Sequence, residues 1–480
     1  MENVEKKTLV MKFGGTSVGS VDAMRSAIGI VKATLAEWPR TVVIASALAG
    51  VTNTLLNSAI KAAQGDVQIY QQAVGDLRSR HHEIAATLVA DLARQAQLKQ
   101  EVNYLISEFS NLCDAVSVLG EATPRALDAI SGLGERLSAR LLAAGLASDG
   151  VLAQAVEATQ LIITDRAYQS AHPDFEATTQ RTRQVLNPLL EKGIVPVVTG
   201  FIAATPEGVT TTLGRGGSDY SAAILAVTLP ANEVWIWTDV DGVMTADPRL
   251  VPNARTIPEI SYREVAELAY YGAKVLHPKT IRPVIEAHIS LRVCNTFNPK
   301  HPGTRLVAAT NKIKQVEPSQ KSVIKAVTVI RSLHMITIEG RGMLGVPGVA
   351  ARAFGAVAKT GTSVPLISQA SSEQSICFAV PSDSTEGVIE ALKDTFRAEL
   401  VSRDIDSIWP SEEVVIVTVV AEGMRDTPGI AGRIFSALGE ETVNILAIAQ
   451  GSSEVSISLI VDAKDTERAV RALHKLIVEE

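Results

Sequence analysis

Only 4% of this 480-residue chain is aromatic, which leaves few stacking platforms for single-stranded nucleic acid. Cysteine is scarcer still. Cys113, Cys294 and Cys377 are far apart, odd in number and without metal-ligand spacing, so disulfides and a zinc site are not expected and a reducing cytosol fits. Each thiol is most simply a small buried hydrophobe. No apolar segment follows the charged residues 1–7, so no secretory signal is visible, and no uninterrupted apolar run reaches membrane-spanning length. Positive charge is not in excess: 45 Lys and Arg against 52 Asp and Glu leave a net charge of −7, which argues against a phosphate-backbone binder but leaves room for a local basic pocket. These absences predict a cytoplasmic protein with neither nucleic acid nor membrane as partner.

What is present is apolar residue in quantity, 46%, over a length that predicts two to four domains. Short buried runs end in polar, glycine-bearing loops and lead into helical stretches. The first, Thr8-Leu9-Val10-Met11, runs into Lys12-Phe13-Gly14-Gly15-Thr16-Ser17. Strand, glycine turn and helix aim backbone N–H groups at an anion, and Lys12 adds a fixed charge there. The spacing matches neither the Walker A loop nor the dinucleotide fingerprint, and the same residues also suit an ordinary turn after an edge strand. Further runs centre on Val42–Ala45, Ile194–Val198 and Glu233–Trp237. The expected fold is therefore α/β, a mostly parallel sheet sandwiched by helices, with ligand loops at the carboxyl ends of its strands. Between Gly75 and Gly120 neither glycine nor proline occurs, which predicts a helical insert acting as a lid or dimer element. His81 and His82 on it are expected on a solvated helix face rather than at a metal.

The chain changes character near Lys300. A polar stretch over 307–320 predicts a linker. Beyond it, residues 345–380 align with 426–461 at a constant offset of 81: Pro347-Gly348 with Pro428-Gly429, Arg352 and Phe354 with Arg433 and Phe435, Gln369 with Gln450. So long a period means duplicated small domains. Each copy reads strand, Pro-Gly-started helix, strand, strand, helix, most of a βαββαβ sandwich. The predicted domains are 1–306, 321–405 and 406–480, with strands shared between the last two.

Three clusters carry chemistry. Residues 210–219, TTTLGRGGSD, place hydroxyls, glycines, Arg215 and Asp219 before a helix; a glycine-flanked arginine suits bidentate capture of a carboxylate. Asp219 equally suits a plain charge on the helix dipole. Residues 237–249 form a strand end and turn with Thr238, Asp239, Met244 and Arg249. Lys274 and His277 fall at a helix end, where His277 reads as a loop or capping residue. A phosphate-facing glycine turn, two lysines and a carboxylate-grasping arginine together describe phosphoryl transfer to a small acid, chemistry that needs placement and charge neutralisation more than a strong nucleophile.

At this point the chain resembles the aspartate kinases of the amino acid kinase superfamily, through KFGGTSV, GERLS (134–138), TTTLGRGGSDYSAA, WTDVDGV and YGAKVLHP. The duplicated tail resembles a tandem pair of ACT domains. The resemblance implies phosphorylation of the L-aspartate side chain by ATP with Mg²⁺ carried on the nucleotide. Lys12 and Asp219 would be catalytic. Ser46, Thr52, Glu135, Phe201, Arg215 and Ser218 would hold aspartate, Glu135 facing its ammonium. Lys12, Gly14, Gly15, Thr238, Asp239, Met244, Arg249 and Lys274 would border ATP; a tyrosine is common at the place of Met244. Gln369, Asn444 and Gln450 would bind an effector amino acid, threonine by the Gln-x-Ser-Ser-Glu motifs or alternatively lysine, although Ser-Ser-Glu is also a good tight turn. A homodimer or larger oligomer without an attached homoserine dehydrogenase is expected. A different acid or nucleotide kinase and a catalytically silent amino acid sensor are the alternatives.

Overall fold

Runs such as Leu9–Met11 and Val42–Ala45 are too apolar for any position but a sheet covered on both faces, and they form one. In the computed structural model, residues 7–270, 276, 278–307, 324–369, 374–421, 423–424, 427–450 and 455–478 are described. Lys274, His277, the linker residues 308–320 and both Ser-Ser-Glu triplets lie outside them. The strands β1 (Thr8–Phe13), β2 (Arg40–Ala45), β3 (Ala153–Val156), β4 (Val195–Thr199), β7 (Glu233–Thr238), β8 (Glu259–Ser261), β9 (Ser290–Asn295) and β10 (Thr304–Val307) make an eight-stranded sheet ordered β3-β4-β2-β1-β7-β9-β10-β8. The pairs from β3 through β9 are parallel, and only β9–β10 is antiparallel. A separate hairpin pairs β5 (Ile202–Ala204) with β6 (Thr210–Thr212).

Helices α1 (Val21–Thr34), α2 (Val51–Ala63), α3 (Val67–Leu88), α4 (Leu92–Leu119), α5 (Pro124–Ser131), α6 (Leu133–Ser148), α7 (Phe175–Glu191), α8 (Gly217–Thr228), α9 (Tyr262–Tyr270) and α10 (Pro278–Glu286) complete this part of the chain. The glycine-free stretch is two helices. Asp91 ends the run by capping α4, its carboxylate accepting from Arg94 N at 2.8 Å. The inner faces, among them Tyr70, Leu77, Ile84, Val102 and Phe109, join the main core with α2 and α6, so the insert is part of the body and not a lid. The expected solvated histidine face is also corrected. His81 is fully buried with Nδ1 2.6 Å from Leu77 O, and burial holds its pKa down at about 4.

The remaining strands form one antiparallel sheet from both copies of the repeat: β11 (Ile324–Glu339), β12 (Leu366–Gln369), β13 (Ser375–Pro381), β14 (Ser407–Ala421), β15 (Ala447–Ala449) and β16 (Ser456–Asp462), ordered β12-β13-β11-β14-β16-β15. The long central strands β11 and β14 pair across the boundary between the copies, from Ile324 opposite Ala421 to Glu339 opposite Ser407. In each copy the first helix, α11 (Val349–Lys359) or α14 (Ile430–Glu440), starts at a glycine with φ +89°, Gly348 or Gly429. A left-handed φ is open to glycine at little cost, which explains why that residue recurs at the offset. Helices α12 (Thr385–Thr395), α13 (Arg397–Ser402) and α15 (Thr466–Val478) complete the modules.

The chain divides into two compact units, and the boundary is interleaved. The first holds residues 1–243, 258–262 and 275–309; the second holds 244–257, 263–274 and 310–480. Within the second, Ala246 and Val251 sit in the same core as Leu459 and Leu473, Thr245 Oγ1 lies 2.9 Å from His474 Nε2, and Thr245 O accepts from Val327 N at 2.8 Å. Leu459 is fully buried at the centre of that core. Leu459→Ala should therefore destabilise the protein by about 2–5 kcal/mol through lost transfer energy and a residual cavity, read as a lower urea midpoint.

Candidate active site

Parallel strands deliver their loops to one edge, and the loops after β1, β2, β4 and β7 carry the polar clusters. The turn after β1 is pinned to the end of β7: Gly14 N donates to Trp237 O at 3.0 Å, Ser17 Oγ donates to the same carbonyl at 3.2 Å, and Phe13 stacks on Trp237 with centroids 6.0 Å apart. It is pinned to the loop after β2 by Ala49 N donating to Gly15 O at 3.0 Å. Gly14's N–H is thus committed to the backbone, and Gly15 is the glycine of the pair that lines the cleft.

That cleft, of about 370 Å³, brings together Lys12, Gly15, Ser46, Thr52, Glu135, Phe201, Arg215, Ser218 and Asp219 from positions more than 200 residues apart. Lys12 Nζ is 2.6 Å from Asp219 Oδ1, and both side chains are largely buried. Helices α2 and α8 begin at the cleft behind Gly50 and Gly216, both left-handed, so two positive helix ends face the same space as Lys12 and Arg215. Arg215 is exposed and has no ion-pair partner among the described residues.

Glu135 is the opposite case. It sits in the first turn of α6, 3% exposed. Oε1 accepts from Ala47 N at 3.2 Å, and Oε2 has no hydrogen-bond partner in another of the described residues. Burial pushes its pKa up to about 8. A buried carboxyl with an orphan oxygen, facing a cleft that also holds a guanidinium without an ion-pair partner among the described residues, can receive a group that carries both an ammonium and a carboxylate.

The other expected site residues fall elsewhere. Thr238 ends β7 and Asp239 follows it, the two bonded at 3.1 Å, outside the cleft lining. Met244 and Arg249 belong to the second unit. Met244 Sδ accepts from Thr256 Oγ1 at 3.6 Å, and Arg249 is held by Asp247 at 2.6 Å. Gln369 ends β12 beside a separate tail cleft of about 320 Å³ lined by Met343, Val346 and Ile376, while Asn444 and Gln450 are exposed on either side of β15. Sequence reasoning overlooked Asn53, which lines the main cleft at the start of α2, although its place in a hydroxyl-rich loop after β2 was a signal.

Comparison with known proteins agrees with the fold. The amino acid kinase family model matches residues 7–295 and an ACT domain model matches 336–396 and 417–476. The chain is 36% identical over 470 residues to the chloroplastic bifunctional aspartokinase/homoserine dehydrogenase 1 of Arabidopsis thaliana, covering 97% of this chain and 50% of that one. It is 32% identical to the aspartokinase of Schizosaccharomyces pombe, covering 99% and 93%. The chain thus spans about half the length of the bifunctional relatives and nearly all of the yeast one. Escherichia coli aspartokinase III, solved with aspartate and ADP, matches 98% of this chain and 100% of its own at a TM-score of 0.77 and 29% identity; its complex with lysine and aspartate matches equally well, at 0.77 and 30%. The chain belongs to the amino acid kinase family and carries a pair of ACT domains.

The orphan carboxylate has a measurable consequence. An unfolded Glu titrates near 4.3. Between that pH and about 8 the folded state holds a proton that the unfolded state has lost, so stability falls as pH rises through this window. Glu135→Gln removes the effect. Relative to the native protein, the ligand-free variant should gain stability between about pH 5 and about pH 8, measured by denaturant unfolding at both values.

Proposed function

We propose that this protein is an aspartate kinase, transferring the γ-phosphoryl group of ATP to the side-chain carboxylate of L-aspartate and releasing ADP and 4-phospho-L-aspartate. The observation that carries the reading is the charge pattern of the main cleft: a buried, half-partnered Glu135 for an ammonium, an Arg215 without an ion-pair partner among the described residues for an α-carboxylate, and Lys12 in the same lining as two helix starts for phosphate. The E. coli relative solved with aspartate and ADP supports it.

In this reading the substrate supplies the nucleophile. An oxygen of its β-carboxylate attacks the γ-phosphorus while the bond to the bridging oxygen of ADP breaks. Glu135 and Arg215 hold the two ends of the amino acid backbone, Ser46, Thr52, Ser218 and the Phe201 segment close around the side chain, and Lys12 neutralises charge building on the transferring group. Asp219 keeps Lys12 aimed into the cleft before any ligand arrives. The hard oxygen donors of Asp219 and the Thr238–Asp239 pair suit Mg²⁺ on the nucleotide, which would offset phosphate charge. Gly14, Gly15, Met244, Arg249 and Lys274 are assigned to the nucleotide side.

We assign the tail to feedback by an amino acid, threonine first and lysine second, with Gln369, Asn444 and Gln450 as contacts, in a cytoplasmic homo-oligomer. The E. coli complex with lysine supports an amino acid effector in general. The effector would act by preferring a less active state of the enzyme.

Incubation with ATP, Mg²⁺, aspartate and hydroxylamine should yield aspartyl hydroxamate; none with aspartate, alongside turnover of glutamate or a nucleoside monophosphate, would overturn the reading. Lys12→Ala should lower kcat on the order of 100-fold or more, as for loss of one preorganised electrostatic contact. Arg215→Ala should raise the KM for aspartate about tenfold or more through loss of a charged hydrogen bond. A thermal-shift screen of threonine, lysine, methionine and isoleucine should raise the Tm with threonine, and a shift with lysine alone would move the assignment to lysine.

A further inference from the structure

Two stretches of chain that lead into the main cleft, α5–α6 and β6, meet the Gln169 turn, which packs on Gly214, at one buried carboxylate outside the cleft lining. Asp128, on α5, is 1% exposed. Its Oδ1 accepts from Thr212 Oγ1 at 2.7 Å and Gln169 N at 3.1 Å; its Oδ2 accepts from Gln169 N at 2.9 Å and Thr212 N at 3.0 Å. No cation pairs with it among the described residues. A carboxylate kept this dry to receive backbone amides and one hydroxyl costs desolvation, and burial raises its pKa against those bonds. Such a group contributes geometry more than stability.

The segments it joins are specific. Thr212 ends β6, three residues before Arg215, and pairs with Ile202 of β5, which directly follows Phe201. Gln169 has φ +68°, unusual for a residue with a Cβ, and its carbonyl lies 3.0 Å from where a Cβ on Gly214 would stand. The helix bearing Asp128 runs through Gly132 into α6, which carries Glu135. A Cβ on Gly132 would come within 2.6 Å of Ile202 Cγ2, so the helix junction rests directly on β5.

We propose that Asp128 is a positioning residue that sets the spacing of Arg215, Phe201 and Glu135, and with it the affinity and chain-length selectivity of the enzyme for its acceptor amino acid. The inference rests on the kinase reading above. Because Asp128 is absent from the cleft lining, its loss acts through the loops it ties.

Asp128→Asn preserves the shape but turns an amide N–H toward backbone donors. It should raise the KM for aspartate about tenfold or more, leave the KM for ATP within about twofold, lower kcat by less than it raises the aspartate KM, and increase glutamate use relative to aspartate. Thr212→Val, which removes a single hydroxyl donor, should shift the same quantities in the same direction by less, and it reads the strut if the first variant folds poorly. Hydrogen exchange should quicken at the Gln169 and Thr212 amides and stay unchanged in β1. Equal rises in both KM values, a loss confined to kcat, or unaltered exchange at those amides would each overturn the proposal. Should the native protein fail to phosphorylate aspartate, the kinase reading fails by itself. Exchange, with calorimetric binding of aspartate and glutamate to native protein and variants, then decides the strut separately.

Discussion

The ion pair between Lys12 and Asp219 is the interaction on which the working end of the first unit depends. It joins the end of the central strand to the first turn of the helix after the Arg215 loop, residues separated by most of that unit's length. Its contribution to stability is not the point, since a partly buried pair loses in desolvation much of what attraction returns. A lysine at the mouth of a cleft has many rotamers, and the carboxylate selects one that faces the two helix starts. The ligand-free site therefore already holds its cation in place.

Charge left uncompensated does the rest. Among the described residues Arg215 has no anionic partner and Glu135 no cationic one, although the two share one cleft. Had they paired, the site would be satisfied without ligand. Held apart by the β5–β6 hairpin and α6, Arg215 offers a positive charge and Glu135 a carboxyl that an incoming ammonium would draw into its ionised form; in the proposed reading a zwitterion completes both and a simple dicarboxylate does not. In the proposed reading the selectivity of the cleft is a matter of spacing, set by the backbone packing behind it.

What the sequence made legible follows from where chemistry sits in a parallel sheet. Lys12 is the penultimate residue of β1, and Ser46, Phe201 and Arg215 follow a strand or hairpin end, so apolar runs ending in polar glycine loops located them. The tail repeat was legible because Pro-Gly and Gln recur at one offset. Asp128 was not, since one acid in the helical pattern RALDAIS looks like a solvated residue, and its partners are 41 and 84 residues away. His81 was misread for a related reason: a His-His pair on a polar helix gives no hint that one ring turns inward. The packing of residues 244–257 was equally hidden, because short apolar stretches do not reveal which of two cores receives them.

That last feature bears on how such a protein can be divided. The chain crosses between its units five times, and the residues shortly after β7 take their apolar surroundings from the repeat modules. A gene cut at the linker would strip Ala246 and Val251 of the core they share with Leu459 and leave Thr245 without His474. Fusion and fission at that junction are therefore not neutral. Exchange of the repeat modules would have to carry, or rebuild, the short segments 244–257 and 263–274 that precede them in the sequence.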